Sequence, residues 1–247
     1  MKNLLILFVC IICTECTKSN ESKIQNILFE SVDSNYSGID FNNQLSYKPY
    51  LNIIEYLYYY NGGGVAVGDI NNDGLEDIFF TANQEIDRLY LNMGNFQFKD
   101  ITRQAKLDLS PSWSNGVTMD DVNNDGFIDM YVSKLPMEGP FKNQSTHNLL
   151  YINNGDLTFT ESSGDYGLDF LGFSTQSTFF DYDRDGDLDM YLMNHATHSV
   201  RSYGTTKKRK EKDSLSGDRF YENLLDEGKN EFKEVTEKSG ILSSPLG

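Results

Sequence analysis

Cysteine is missing from all but the first sixteen residues of this 247-residue chain. Its three cysteines are Cys10, Cys13 and Cys16. No thiols remain to pair within whatever folds after them, so a disulfide framework is excluded. Positive charge is also scarce, with 21 Lys and Arg against 37 Asp and Glu and a net charge of −16. Such a chain offers no broad basic face to a phosphate backbone, which argues against nucleic acid as a partner. Apolar stripes at helical spacing are few, whereas aromatics reach 13%. Both facts favour an all-β fold. There is no G-x-S-x-G, no H-E-x-x-H and no phosphate-binding glycine loop. Paired acids such as Asp120 and Asp121 belong mostly to the loops described next, and no glycosidase pair stands out from them.

What is present is one phrase written three times. Asp69-Ile-Asn-Asn-Asp-Gly-Leu-Glu-Asp77 returns as Asp121-Val-Asn-Asn-Asp-Gly-Phe-Ile-Asp129 and as Asp181-Tyr-Asp-Arg-Asp-Gly-Asp-Leu-Asp189. The pattern D-x-[DN]-x-D-G-x-x-D puts side-chain oxygens at positions 1, 3, 5 and 9. These are Asp69, Asn71, Asp73 and Asp77; Asp121, Asn123, Asp125 and Asp129; and Asp181, Asp183, Asp185 and Asp189. The backbone carbonyl at position 7 (Leu75, Phe127, Asp187) adds a further oxygen. Ca²⁺ takes six to eight oxygens in a flexible cage, so about three calcium sites are expected. A solvated acidic turn is the alternative for any single copy, and the threefold recurrence favours calcium. An EF-hand is excluded, because position 12 is Phe80, Val132 or Leu192 rather than an acid. The flanking runs are short, β-branched or aromatic, so each loop is expected to join two strands of a hairpin.

The amino terminus pairs a basic start with the apolar run Leu4–Cys13. That run is too short to span a bilayer and fits a secretory signal. Residues 1–16 are read as that signal, with Cys16 as a lipidated residue and 17–26 as a polar tether. Glu15 departs from the small residue that usually precedes such a cysteine, and an ordinary cleaved signal is the alternative. If Cys16 is acylated, the chain is held at a membrane by that anchor. An outer-membrane or cell-surface lipoprotein is therefore expected, with a secreted or periplasmic protein otherwise.

Self-similarity extends past the loops. Each hairpin is followed by an aromatic strand, a turn and a further strand: Arg88–Asn92 with 96–100, 148–153 with 157–161, and Arg219–Asn223 with 231–235. Four strands per unit at this spacing is the size of a propeller blade. Blades are expected at 65–109, 110–170 and 171–241, with 242–247 as the start of another. Residues 27–64 are expected to hold a lone outer strand, at 27–39, and an aromatic entry segment. The tyrosines of Leu51–Tyr60 are expected to pack a strand rather than stack on a ligand. Three blades fall short of the four to eight that close a ring, so the sequence reads as part of a longer protein.

At these residues the chain resembles the FG-GAP or VCBS-type repeats of integrin-alpha-like β-propellers. The phrases Gly38-Ile-Asp-Phe41, 61–69 (Asn-Gly-Gly-Gly-Val-Ala-Val-Gly-Asp) and Leu89-Tyr-Leu-Asn92 are similar to exported bacterial propellers of the ASPIC and UnbV group. The resemblance implies a seven-bladed ring with calcium in the loops between first and second strands, on the ligand positions already named.

Alternating strand directions place the acidic loops and the third-to-fourth-strand turns at one end of the blades. Loops 82–87, 134–147 and 194–218 lie at the other, and their variation marks that end for recognition. The run Lys207–Lys210 reads as a solvated loop more readily than as an anion-binding patch. His195 and His198 lack a third ligand for a transition metal. A non-enzymatic propeller that binds a protein or a glycan is the expected function, and a polysaccharide lyase or hydrolase is the alternative.

Overall fold

In the computed structural model each acidic loop closes a hairpin, and each hairpin is half of a four-stranded antiparallel sheet. The structure describes residues 28–49, 51–136, 146–195 and 214–241. Two units separate, Met1–Val32 and Asp33–Gly247, and every sheet belongs to the second. The first sheet runs β1 (Val65–Gly68), β2 (Asp77–Phe80), β3 (Arg88–Asn92), β4 (Phe98–Asp100). The second runs β5 (Ser114–Asp120), β6 (Asp129–Lys134), β7 (Leu149–Asn153), β8 (Phe159–Glu161). The third runs β9 (Ser174–Phe180), β10 (Asp189–Asn194), β11 (Arg219–Asn223), β12 (Phe232–Glu234). These are three blades of an incomplete β-propeller. The outer strands β4, β8 and β12 are three residues each, which leaves little unpaired ladder exposed at the rim.

The period-two alternation of strands explains the stacking of the blades. Met130 and Val132 of β6, with Leu149 and Tyr151 of β7, pack with Phe79 and Leu89 of the first sheet. The intervening Tyr131 and Leu150 pack with Phe179, Met190 and Tyr221 of the third. Every residue of β6 is buried, because both faces of the middle blade are covered. Near the axis the inner strands approach without side chains between them. A Cβ on Gly64 would lie 2.7 Å from the Asn115 carbonyl oxygen, and one on Gly116 would collide with the Thr175 carbonyl and the Gln176 side chain. Polar groups then tie the strands together: Thr118 Oγ1 donates to the Ser177 carbonyl at 2.7 Å, and Asn115 Nδ2 to the Ser174 carbonyl at 2.8 Å.

Two expectations need correction. Residues 28–39 form no strand; they hold α1, the helical turn Ser34–Ser37. Asp33 caps it by accepting from the Asn35 N–H at 2.8 Å, and Gly38 ends it in the left-handed region. The backbone hydrogen bond from Ser37 to Asp33 recurs after each outer strand of the three blades, as Ala105 to Ile101, Tyr166 to Ser162 and Ser239 to Val235. Residues 28–39 thus share with the blades the turn that follows an outer strand, not the strand itself. Leu51–Tyr60 is also not a strand. Asn52 bends it into turns by accepting from the N–H groups of Ile54 (2.9 Å) and Glu55 (3.3 Å). Leu51 and Tyr59 then pack on Trp113 and Leu135, which leaves no straight segment to pair with a sheet.

Candidate functional site

The acidic loops fold around their own carboxylates. In the first, Asp69 accepts from the N–H groups of Asp73 (3.1 Å) and Gly74 (2.7 Å), and Asp73 accepts from Leu75 N–H at 2.9 Å. The second repeats this: Asp121 accepts from Asp125 (3.1 Å) and Gly126 (2.8 Å), and Asp125 from Phe127 (2.9 Å). Asn71 and Asn123 donate to Asp73 and Asp125 at 3.0 and 2.9 Å, holding the position-3 amides in the loop. Glycine is required at position 6, where φ is 84°, 89° and 98° at Gly74, Gly126 and Gly186.

Position 9 is the anchor. Asp77, Asp129 and Asp189 are buried at the head of β2, β6 and β10. Each accepts one N–H from position 2 of its own loop (Ile70, Val122, Tyr182) and one from the end of the third strand (Asn92, Asn153, Asn223), at 2.7–3.1 Å. The residue thus fastens loop to sheet whether or not an ion is bound.

Position 4, which the pattern leaves open, turns out to link blades. Asn72 Nδ2 donates to the Gly126 carbonyl of the next loop at 2.9 Å, and Asn124 Nδ2 to the Gly186 carbonyl at 3.2 Å. Both asparagines, and Arg184 in the third copy, have φ between 56° and 69°, a region that asparagine tolerates better than most residues. Asn153 and Asn223 add a second link, donating to the carbonyls of Ile70 (2.8 Å) and Val122 (3.1 Å) in the preceding loop. Neighbouring loops are therefore one hydrogen-bonded belt.

The donor set is all oxygen, which suits a hard cation rather than a soft one. In the third loop, carboxylate oxygens of Asp181, Asp183 and Asp189 lie within 4.8 Å of one another, and so do those of Asp185, Asp187 and Asp226. Crowding and burial oppose ionisation. Burial pushes Asp129 up to about 7 and Asp189 to about 6, despite the N–H groups that each accepts. Asp77 and Asp183 are likewise raised by burial and by neighbouring acids. A divalent cation would offset this cost. The residues of the third loop thus fit a hard metal ion, with Asp181, Asp183 and Asp189 as the acids that could hold it.

The other end of the blades is built differently. There a cleft of about 360 Å³ is lined by Tyr56, Tyr58 and the Asn61–Gly64 stretch, by the first residues of β5 and β9, and by His195. His195 Nε2 lies 3.3 Å from the Tyr56 hydroxyl, and its ring sits 5.0 Å from Tyr58 and 5.2 Å from Phe173. It is an aromatic-packed wall residue. Of the loops expected to vary, 82–87 is pinned down: Asp87 accepts from Ala82 N–H at 2.8 Å and Ser114 Oγ at 2.9 Å. Most of 134–147 and 194–218, with His198 and Lys207–Lys210, lies outside the described residues, as do Cys16 and the whole of 1–27.

Residues 69–132 match a sequence family described as FG-GAP-like repeat. That repeat spans the first acidic loop, the remainder of its blade, and the second loop into β6. Curated relatives match about half of the chain. Human Cartilage acidic protein 1 is 30% identical over 138 residues, covering 53% of this chain and 20% of that protein. The Xenopus tropicalis protein of the same name is 29% identical over 146 residues, covering 54% of this chain and 21% of its own length. The chain therefore spans about a fifth of the length of the curated relatives it matches. Within the FG-GAP-like repeat, sequence reasoning found positions 1, 3, 5 and 9. It missed the position-4 asparagines, whose only sequence mark is a residue suited to positive φ.

Proposed function

We propose that this chain is an exported, calcium-stabilised β-propeller scaffold that binds a glycan or a protein at the end opposite its acidic loops, without turning it over. The observation that best supports this is the contrast between the two ends. One is a repeated belt of acidic loops. The other is a cleft drawing on the starts of the inner strands β5 and β9, on the end of β10 and on the Tyr56–Gly64 segment. Clefts that combine aromatic rings with a few placed polar groups are the usual form of ligand sites. Tyr56 and Tyr58 beside Asn61, Asn115 and Gln176 favour a glycan, whose ring faces stack and whose hydroxyls take amide hydrogen bonds. Export rests on the basic and apolar start of the chain, with Cys16 as the proposed lipid attachment point. Kinship with exported bacterial propellers of the ASPIC and UnbV type belongs to the same reading.

The test is retention of the full chain on immobilised neutral and acidic polysaccharides in calcium, with Tyr58→Ala and Asn61→Ala alongside. The expected result is retention of the wild type, and at least tenfold weaker binding by each variant (about 1.4 kcal/mol) at an unchanged melting temperature. Binding by both variants equal to wild type would sink the assignment of the cleft. Release of soluble sugar would move the function to a lyase or hydrolase.

A further inference from the structure

The third blade differs from the other two where its acidic loop meets the outer turn. In the first blade, the position-7 side chain Leu75 lies 4.0 Å from where a Cβ on Gly94 would stand, in the β3–β4 turn. In the second, Phe127 takes the same place, 3.0 Å from a Cβ on Gly155 in the β7–β8 turn. Both are apolar contacts between the acidic loop and the outer turn. In the third blade position 7 is Asp187, and the longer β11–β12 turn presents Asp226 to it. Asp226 N–H donates to Asp187 Oδ2 at 3.1 Å. The apolar contact of two blades has become a pair of acids, with Asp185 of the loop as a third.

Asp187 is only 3% exposed, and its Oδ1 is buried without a hydrogen-bond partner among the described residues. Oxygens of Asp185, Asp187 and Asp226 lie within 4.8 Å of one another. None of the ion pairs among the described residues includes any of the three. A buried carboxylate oxygen with no donor, facing two other acids, is costly unless something positive sits among them. Glycine at the outer turn, as in the first two blades, brings no such group.

We propose that the third blade holds an additional hard divalent cation, bound by the side chains of Asp185, Asp187 and Asp226, beside the ion of the loop itself. Asp185 stands between the two positions, since its charge also acts on Asp183 of the neighbouring group. Asp226 and Asp185 are exposed, so water completes the shell on the outer side. The ion clamps the acidic loop to the β11–β12 turn, the task that Leu75 and Phe127 perform by apolar contact in the other blades. The proposal rests on the reading of the loops as cation sites only for the neighbouring ion.

The experiment counts calcium ions bound per full-length chain by equilibrium dialysis and elemental analysis, for wild type, Asp226→Asn and Asp187→Leu. The second variant restores the residue type of the first blade. The expected result is a wild-type count one greater than the number of acidic loops, with each variant losing one ion. Variants that bind as many ions as wild type overturn the proposal while leaving the loop sites standing. A wild-type count no greater than the number of loops overturns it whatever the variants do. A wild type that binds no calcium removes both this site and the loop reading. Asp187→Leu guards against a folding failure of Asp226→Asn, because it refills the contact with an apolar group.

Discussion

The two ends of the blades solve different problems with the same strands. At the acidic end the connections repeat, and the second loop copies the first hydrogen bond for hydrogen bond. At the cleft end β5 and β9 share a bulge just after Ser114 and Ser174, but the first blade is joined there by an entry segment that folds into turns against Trp113. Repetition marks the parts that hold the blades together, and departure from it is where the proposed recognition would sit.

The largest effect expected is at the buried anchor of the acidic end. Asp129→Ala leaves the Val122 and Asn153 N–H groups without an acceptor, at about 1–3 kcal/mol for each orphaned donor. Urea denaturation should show that loss both with calcium and with chelator. Asp125→Ala, exposed in the same loop, should lower stability only when calcium is present. Equal losses in the two conditions for both variants would break the distinction between anchor and ion holder.

Next in size is the link between loops. Asn124→Ala removes the bond to Gly186 and should cost about 1 kcal/mol. It should also reduce the influence of calcium in the second loop on binding in the third. Calcium titrations of this variant that match wild type in shape would show the belt to be passive.

The cleft end should answer to pH instead. Burial pushes Asp87 up to about 6, against the nearby Lys134, the Ala82 N–H and Ser114, which favour its charged form; Asp108 opposes it. Its folded value lies above its unfolded one. The folded state therefore holds a proton that the unfolded state has already released. The contribution is most favourable below an unfolded value of about 4 and is lost as pH rises through about 6. Comparing wild type with Asp87→Asn across that window should isolate this slope, and parallel stability curves would contradict it. The smallest effect on stability is expected at Tyr58→Ala, within about 0.5 kcal/mol, because Tyr58 is an exposed wall of the cleft.

The blades and the acidic loops were legible in the sequence because both follow a strict period. D-x-[DN]-x-D-G-x-x-D fixes side-chain chemistry at set positions, and the runs beside it alternate as strands must. The misses have physical causes. Leu51–Tyr60 has strand-forming residues, but the Asn52 carboxamide competes for its backbone and bends it. Residues 28–39 were expected to form an outer strand, yet Asp33 and Gly38 cap a helical turn there. Asn72 and Asn124 were hidden because a bond to the next blade has no local spacing. Asp226 was hidden because its partner Asp187 lies 39 positions away. An aspartate at position 7, where the other two copies have Leu and Phe, was the signal that could have pointed to it.

The central claim is that the acidic end is stapled by calcium, and thermal unfolding of the full chain during a calcium titration, with magnesium as control, tests it most directly. Each independent site bound only in the folded state should add about 2.7 kcal/mol at a hundredfold excess over its dissociation constant. A melting temperature that climbs with calcium, responds little to magnesium and falls with chelator is the predicted result. A cooperative melt indifferent to calcium would contradict the account and leave the acidic loops as turns held by their own N–H groups.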